Sequence, residues 1–474
     1  MGLPELLFDV TALIVTSTAL GHAAEASSVP VTVSISAPLH PSDSAPPVTV
    51  NTASSIVDPG STSHGIPITT LEIPLTTVSK VRALSGVAFV EGLSTLSPAQ
   101  IDKIISGDPQ QIEKILNSPP SAKDVTAAWA GMSTKTQAKL LKSAPQLVGN
   151  LEGVPVSIRN VANRTWVTQS IDSLKSKMAS VAGRAVAQSD QQELQMLTRV
   201  DAALKRTKNG PERSLLSINP SGQGKAVIVI GNIQTANYVT YMVPGLFNTV
   251  DGQLGAWTGA AANLYSQQVA WLNRLKSVDP SDAHKSVAVV AWMGYQTPDL
   301  TNVASLQLAN QAKDAMTRDV EAMQELRTGN EPFTTIIAHS YGSTAALMAL
   351  SDGNFSVNAL VVVGSPGSAA QSAKDLDVKH TNVWVGSAAW DPVPTSAFFG
   401  SDPSSPSYGA HTMGVNGGTD IITGKTLTQS LGHNGYFDPD SESVRNMALI
   451  GIDQAQLVMQ GDAADSSRTL AGAK

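Results

Sequence analysis

Cysteine is absent from the 474 residues, and with it go disulfides, thiol nucleophiles, thiolate zinc sites and Cys-ligated iron–sulfur clusters. That absence leaves the redox compartment undecided. Charge is also scarce: charged residues make up 15% of the chain and the formal net charge is -7. No basic footprint for nucleic acid or for an anionic membrane surface exists in such a balance. No lysine or arginine precedes Lys80. A secretory signal needs a positive n-region. The stretch "ALIVTSTALGHAAEA" is mildly apolar and ends in the cleavage-like Ala24-Glu25-Ala26, but Glu5 and Asp9 give it the wrong sign, and a cytoplasmic chain is favoured over a secreted or cell-surface one. Apolar runs long enough to span a bilayer are missing. So are a phosphate-binding loop, a dinucleotide fingerprint and an HExxH zinc motif. Gly222-Gln223-Gly224-Lys225 precedes a strand instead of following one and reads as a loop. No cofactor and no metal are expected. Aromatics, at 5%, are too sparse to outline an acyl pocket from composition.

What is present suggests three stretches, since 474 residues exceed the usual span of one hydrophobic core. Residues 1–80 include a Ser-, Thr-, Pro- and Val-rich segment with almost no charge, "SVPVTVSISAPLHPSDSAPPVTVNTASS". It reads as a low-complexity, poorly ordered extension, with a short edge strand as the alternative. Residues 81–215 read as all-helical. Ser97, Pro98 and Gln100 make a cap ahead of Ile101, Ile104 and Ile105; Asp108, Pro109 and Gln111 start a second helix carrying Ile112, Ile115 and Leu116. Ile171, Leu174, Met178 and Val181 form an amphipathic stripe.

From residue 216 to 474 the period changes. The runs "KAVIVI", "YVTYMV", "SVAVVAW", "FTTIIA", "VNALVVV" and "NVWVGS" alternate little, as strands buried on both faces do. Between them lie helical stretches, one with Leu306, Ala309, Ala312, Met316, Val320 and Met323 near one face. Strand and helix in alternation predict an α/β fold with a mostly parallel, doubly wound sheet.

The sharpest chemical signal is Ala338-His339-Ser340-Tyr341-Gly342, directly after the run "TTII" and ahead of the helix former "STAALMAL". A nucleophile elbow needs this strand-turn-helix context, with small residues two positions either side of the serine. The alternative is an incidental strand-to-helix turn. A serine hydroxyl needs an imidazole to take its proton and a carboxylate to hold that imidazole. Asp391 follows the strand "NVWVGSAAW" and is favoured as the acid over Asp375, Asp377, Asp402 and Asp420, which sit in polar stretches where solvation is the expected fate. His433, in "SLGHNGYF", is favoured as the base over His411. His339 lies on the wrong side of the elbow and is expected to pack or hydrogen-bond beneath it. The amide of Tyr341 is a candidate oxyanion donor. Pro244-Gly245 in "YMVPGLFNT" ends a strand and exposes the amides of Leu246 and Phe247, of which Leu246 is the candidate second donor; a plain turn is the alternative.

These residues resemble a family of actinobacterial α/β-hydrolases catalogued as a domain of unknown function, DUF1023. The resemblance rests on "INPSGQGKAVIVIGN", "VTYMVPGL", "AHSYGS", "VVVGSPG", "SAAWDPV" and "GHNGYF", in that order, over about residues 216–440, and "LVGNLEGVPVSIRNVANR" extends it back to about Trp129. It implies an α/β-hydrolase in the C-terminal half and the triad Ser340, Asp391 and His433. Ala338 departs from the family's usual glycine, and Phe247 is larger than expected. The resemblance implies a serine hydrolase and no particular substrate; a carboxylic ester, small or lipid, is the expected one, with thioesters and amides open and no nucleic-acid partner. Two other readings stay open: a surface-associated or exported effector whose helical region is an interaction module, and an inactive binding protein on the same fold. Whether that region lids the Ser340 edge or stands apart separates them.

Overall fold

Strands of Val, Ile and Ala without polar alternation need cover on both faces of their sheet. The computed structural model describes residues 77–180, 188–277 and 284–461 and provides that cover. Eight strands form one sheet: β1 Arg213–Asn219, β2 Lys225–Gly231, β3 Tyr238–Val243, β4 Val287–Met293, β5 Phe333–His339, β6 Ala359–Val363, β7 Val383–Gly386 and β8 His411–Thr412. Their spatial order is β1-β2-β4-β3-β5-β6-β7-β8. β2 runs antiparallel to β1 and β4, and every pairing from β4 to β8 is parallel. All six apolar runs are strands of this sheet. β1 carries no comparable apolar run, and its polar residues gave no strand signal.

Nine helices precede or flank β1 among the described residues: Thr77–Arg82, Gly86–Thr95, Pro98–Gly107, Pro109–Asn117, Ala122–Gly131, Thr134–Ser143 and Pro145–Asn150 (α1 to α7), then α8 Val156–Ser180 and α9 Gln188–Ala203. Within the sheet region lie α10 Val250–Leu275, α11 Gln307–Leu326, α12 Tyr341–Ser351, α13 Val393–Ser396 and α14 Glu442–Ile450. Along β2 the side chains split between the faces: Ile228 and Ile230 join Leu254 and Leu264 of α10 and Met447 of α14, while Val227 and Val229 join Ala312 and Met316 of α11 and Leu347 of α12. Each such side chain buried is worth about 1.5–3 kcal/mol relative to exposure. α11 starts four residues later than the stretch 303–327 read from the sequence. Leu306 sits at its N-cap and is exposed, because the preceding carbonyl of Ser305 is tied to the Tyr341 hydroxyl.

The helices before β1 have an apolar core of their own, with Phe89, Leu93, Ile101, Ile104, Ile112 and Leu147. The Ser97 and Gln100 capping box forms as read from the sequence. α8 then leaves that core and runs along β1, the edge strand. Exposed strand edges offer unpaired N–H and C=O groups. Here asparagines fill them: Leu215 N–H donates to Asn160 Oδ1 at 2.9 Å, Asn163 Nδ2 donates to Leu215 O at 3.1 Å, and Ile218 N–H donates to Asn150 Oδ1 at 2.8 Å. Arg164 adds a bond to Arg213 O at 2.6 Å. The helical region therefore docks on the β1 edge, separated by β2, β4 and β3 from the strand that carries Ser340. On the stripe, Leu174 is buried, Ile171 packs partly against the core, and Val181 lies outside the described residues. So does the whole segment 1–76, with the candidate signal stretch in it. Among the described residues no helix is long and apolar enough to cross a membrane.

Where α8 begins near α11, Glu152 and Asp319 meet beside Arg159 and Arg318. Burial first, and the Asp319 charge second, push the Glu152 carboxyl up to about 7 against the pull of the two arginines. Asp319 also accepts the Trp292 indole N–H at 2.5 Å.

Two outcomes are expected. Asn163 donates to both Leu215 O and Gly149 O, the latter at 2.8 Å, and Gly149 O also accepts from Arg159 Nε at 3.2 Å, so Asn163→Ala strands the Leu215 carbonyl and costs about 1–3 kcal/mol in urea unfolding. A loss below about 0.5 kcal/mol means that the edge is satisfied some other way. Glu152 takes up a proton on folding between its ordinary value and about 7, so its contribution to stability falls as pH rises through that window. Glu152→Gln keeps a donor and removes the titration. Its melting temperature relative to wild type should climb from pH 5 to pH 8, and a constant difference would contradict the assignment.

Candidate active site

The turn from β5 to α12 is tight enough to impose strain. Ser340 adopts φ 54° and ψ −132°, a region that L-residues rarely occupy. Its amide is fixed by a bond to Val363 O of β6 at 3.0 Å. Strand and helix approach closely because of small residues: Ala338 is fully buried, and a Cβ at Gly342 would collide with the Pro244 carbonyl. Both contacts involve the loop after β3, since a Cβ at its next residue, Gly245, would lie 2.5 Å from Ser340 Cβ. These contacts hold the hydroxyl at the C-terminal edge of β5.

Asp391 and His433 arrive from separate loops on that same edge, after β7 and before α14. His433 Nε2 is 2.7 Å from Ser340 Oγ, and its Nδ1 is 3.0 and 3.1 Å from the two Asp391 oxygens. The fold thus brings the three residues singled out from sequence into one hydrogen-bonded chain, and all three are at least nine-tenths buried. An imidazole nitrogen at that distance is within reach of the serine proton. Burial alone would push the Asp391 carboxyl up. The charge of His433, its hydrogen bond, the Tyr436 hydroxyl and the Val393 amide outweigh burial and hold it below the ordinary carboxylate range.

The competing residues lie elsewhere. His411 is exposed at the start of β8 with its ring 4.9 Å from that of Trp384. Asp375 closes a capping box with Ser372, and Asp402 accepts from Ser404. Asp420 departs from the solvated fate expected of it: it is buried and paired with Arg445 at 3.0 Å.

Two supporting residues, Tyr436 and Gly364, went unassigned in the sequence although each sits in a motif quoted above, while His339 lies where it was expected. Tyr436, three residues past His433, donates to Asp391 Oδ2 at 2.6 Å and accepts the Ala388 amide at 2.8 Å. Gly364, at φ 58°, leaves room for both partners, since a Cβ there would lie 2.9 Å from Asp391 Oδ2 and 3.0 Å from His433 Cε1. His339 hydrogen-bonds beneath the turn, Nε2 to His433 O at 2.7 Å, with the two rings 4.7 Å apart. Burial, then repulsion by His433, lowers its pKa to about 3, so the ring stays neutral at physiological pH.

On the oxyanion side, Tyr341 opens α12, so its N–H is one of the first-turn amides with no intrahelical acceptor. In the β3 loop Phe247 takes φ 59° and gives its amide to Pro298 O at 3.1 Å. Of the two amides expected to be exposed there, only that of Leu246 has no acceptor among the described residues. Leu246 packs with Val393, Phe247 and Val303, which ties this loop to the acid loop.

Sheet order, elbow and loop placement define an α/β-hydrolase. A family model described as "Alpha/beta hydrolase" matches residues 219–401, and the domain is one of the α/β-hydrolase family that its motifs resemble. An uncharacterized protein of Mycobacterium tuberculosis is 28% identical over 295 residues, covering 57% of this chain and 44% of that protein. The chain thus spans less than half the length of that relative. An uncharacterized protein of Mycobacterium bovis is 26% identical over 201 residues, covering 41% of this chain and 74% of its own. Among solved structures, a thermostable esterase from Pseudomonas putida aligns at 14% identity and a TM-score of 0.31, over 62% of this chain and 98% of its own. At such values the fold has to be read from the sheet itself.

Removing the Tyr436 hydroxyl takes a donor from a buried carboxylate. Tyr436→Phe should cost about 1.5–3 kcal/mol at pH 7. Asp391 then titrates higher, so the deficit shrinks as acid protonates the carboxyl in both proteins. Because the wild-type carboxyl titrates below its ordinary 3.8, the deficit should persist at pH 4 and shrink only below that value. Urea unfolding at pH 7 and at about pH 2.5 reads this, and equal losses at those two pH values would contradict it.

Proposed function

We propose that this chain is a serine hydrolase that cleaves carboxylic esters through an acyl-enzyme at Ser340. The observation that carries the reading is the His433 imidazole, 2.7 Å from Ser340 Oγ at one nitrogen and 3.0 Å from Asp391 at the other. In this mechanism His433 Nε2 takes the hydroxyl proton as Ser340 Oγ bonds to the ester carbonyl carbon. Negative charge moves to the carbonyl oxygen, where the amides of Tyr341 and Leu246 are the candidate donors. As the carbon–alkoxy bond breaks, His433 returns that proton to the leaving alkoxide. A water then gives a proton to His433 and its hydroxyl to the acyl carbon, the Ser340 ester bond breaks, and the carboxylic acid leaves as Ser340 regains its proton. Asp391 stays ionised and stabilises the imidazolium, which agrees with its lowered titration. Neutral His339 adds no second cation beneath it.

A fluorophosphonate probe tests the reading. Wild type should label, and Ser340→Ala and His433→Ala should not, with circular dichroism unchanged. Ester turnover should fall about 10⁴-fold or more in either variant. A folded wild type that takes no probe, or a Ser340→Ala protein that still does, would overturn it.

A further inference from the structure

The loop that carries Asp391 makes a tight turn in which Asp391 N–H bonds to Ala388 O at 3.2 Å. The third residue of that turn is Trp390, at φ 63°. Glycine makes such turns without strain, whereas a bulky residue there costs about 1–2 kcal/mol. Trp390 recovers little of that by burial, since it is 67% exposed, while Ala388, Asp391 and Val393 around it are buried. Beside it runs the loop of His433. Ala389 and Leu431 form a parallel bridge, and Gly432 N–H donates to Ala389 O at 2.9 Å. Leu431 is 51% exposed. These loops bear almost no charge. Ser387–Gly400 holds one ionisable side chain, the buried Asp391, and Thr428–Phe437 holds His433 and the buried, neutral Tyr436. An indole and a leucine are thus held out to water on an uncharged rim, next to the acid and base of the site. The fold itself gains nothing evident from this.

We propose that Trp390 and Leu431 form the surface that binds the alcohol portion of the ester, and that this portion is uncharged and apolar. The assignment to the alcohol rests on the serine-hydrolase reading and follows from the path of its proton. His433 Nε2 must lie within hydrogen-bond reach of the leaving oxygen. The alcohol therefore stands on the His433 side of the tetrahedral carbon, where these loops lie. On that reading the carbonyl oxygen points the other way, toward the candidate donors Leu246 and Tyr341, and the acyl chain is the part not assigned to the Trp390 rim. An indole face offers large apolar contact with few torsions to freeze, and suits an alkyl or aromatic alcohol.

The full chain is assayed on two ester series: acetates of ethanol, butanol and octanol, and ethyl esters of acetic, butanoic and octanoic acids. For wild type, kcat/KM should rise with alcohol length. Trp390→Ala should lower the ratio of octyl acetate to ethyl acetate about tenfold, the size of an apolar-contact discrimination. The ratio of ethyl octanoate to ethyl acetate should hold steady. Trp390→Phe should restore most of the alcohol preference. Trp390→Gly should lose it while raising the melting temperature, because the turn relaxes. An alcohol ratio that Trp390→Ala does not change overturns the proposal, as does a shift in the acyl ratio instead. A uniform loss on every ester accompanied by a lower melting temperature would make Trp390 structural and overturn it too. Wild type that labels at Ser340 but shows no alcohol preference removes this surface and leaves the hydrolase reading intact. Wild type that neither labels nor turns over removes both.

Discussion

The left-handed turn at Ser340 is the constraint around which the remaining parts are arranged. A serine at φ 54° stores strain that only its surroundings can hold. β5 supplies a fully paired strand on one side, and α12, buried along nearly its whole length, supplies a rigid helix on the other. The approach of β3 requires Gly245, and that of the helix start requires Gly342. Larger residues at either position would force the turn open and move the hydroxyl away from His433.

Once Ser340 is held, electrostatics decide the state of its neighbours. A carboxylate, two imidazoles and a phenol are buried within one small volume, where isolated charges are costly. The cluster settles this by allowing one anion. Asp391 is ionised and collects donors from His433, Tyr436 and the Val393 amide. His339 gives up its proton under burial and stays neutral, while Tyr436 is held protonated by burial and by the Asp391 charge. The backbone carbonyl of His433 is pinned by the His339 ring.

Far from this edge, the helical region solves a separate problem. β1 would otherwise present unpaired backbone to solvent, and the asparagine side chains of α7 and α8 act as its missing neighbour. The expected alternatives for that region were a lid over the Ser340 edge and a body standing apart. Instead it packs on the sheet through β1, with a core of its own behind the contact. The titrating Glu152 and Asp319 pair lies where this region meets α11.

Much of the fold and the central residues were legible in the chain because they depend on local order. β-branched runs without alternation announce strands buried on both faces, and all six became strands of the sheet. The elbow was legible because strand, turn and helix are contiguous in sequence. Asp391 and His433 could be ranked because the ends of parallel strands lie on one edge whatever the loops do. His339 could be placed beneath the elbow, but not its partner, and Tyr436 and Gly364 could not be assigned, since their roles are distances to atoms far along the chain. β1 escaped notice because it has little apolar run of its own and its outer edge is satisfied by side chains of α7 and α8, far earlier in the chain. The exposure and turn strain of Trp390 belong to the same class. Sequence alone determined which segments become strands and helices and which side chains can do chemistry, because periodicity and turn chemistry act over a few residues. Tertiary structure decided which of those side chains meet, how they share protons and which apolar groups face water, because these depend on contacts between segments far apart in the chain.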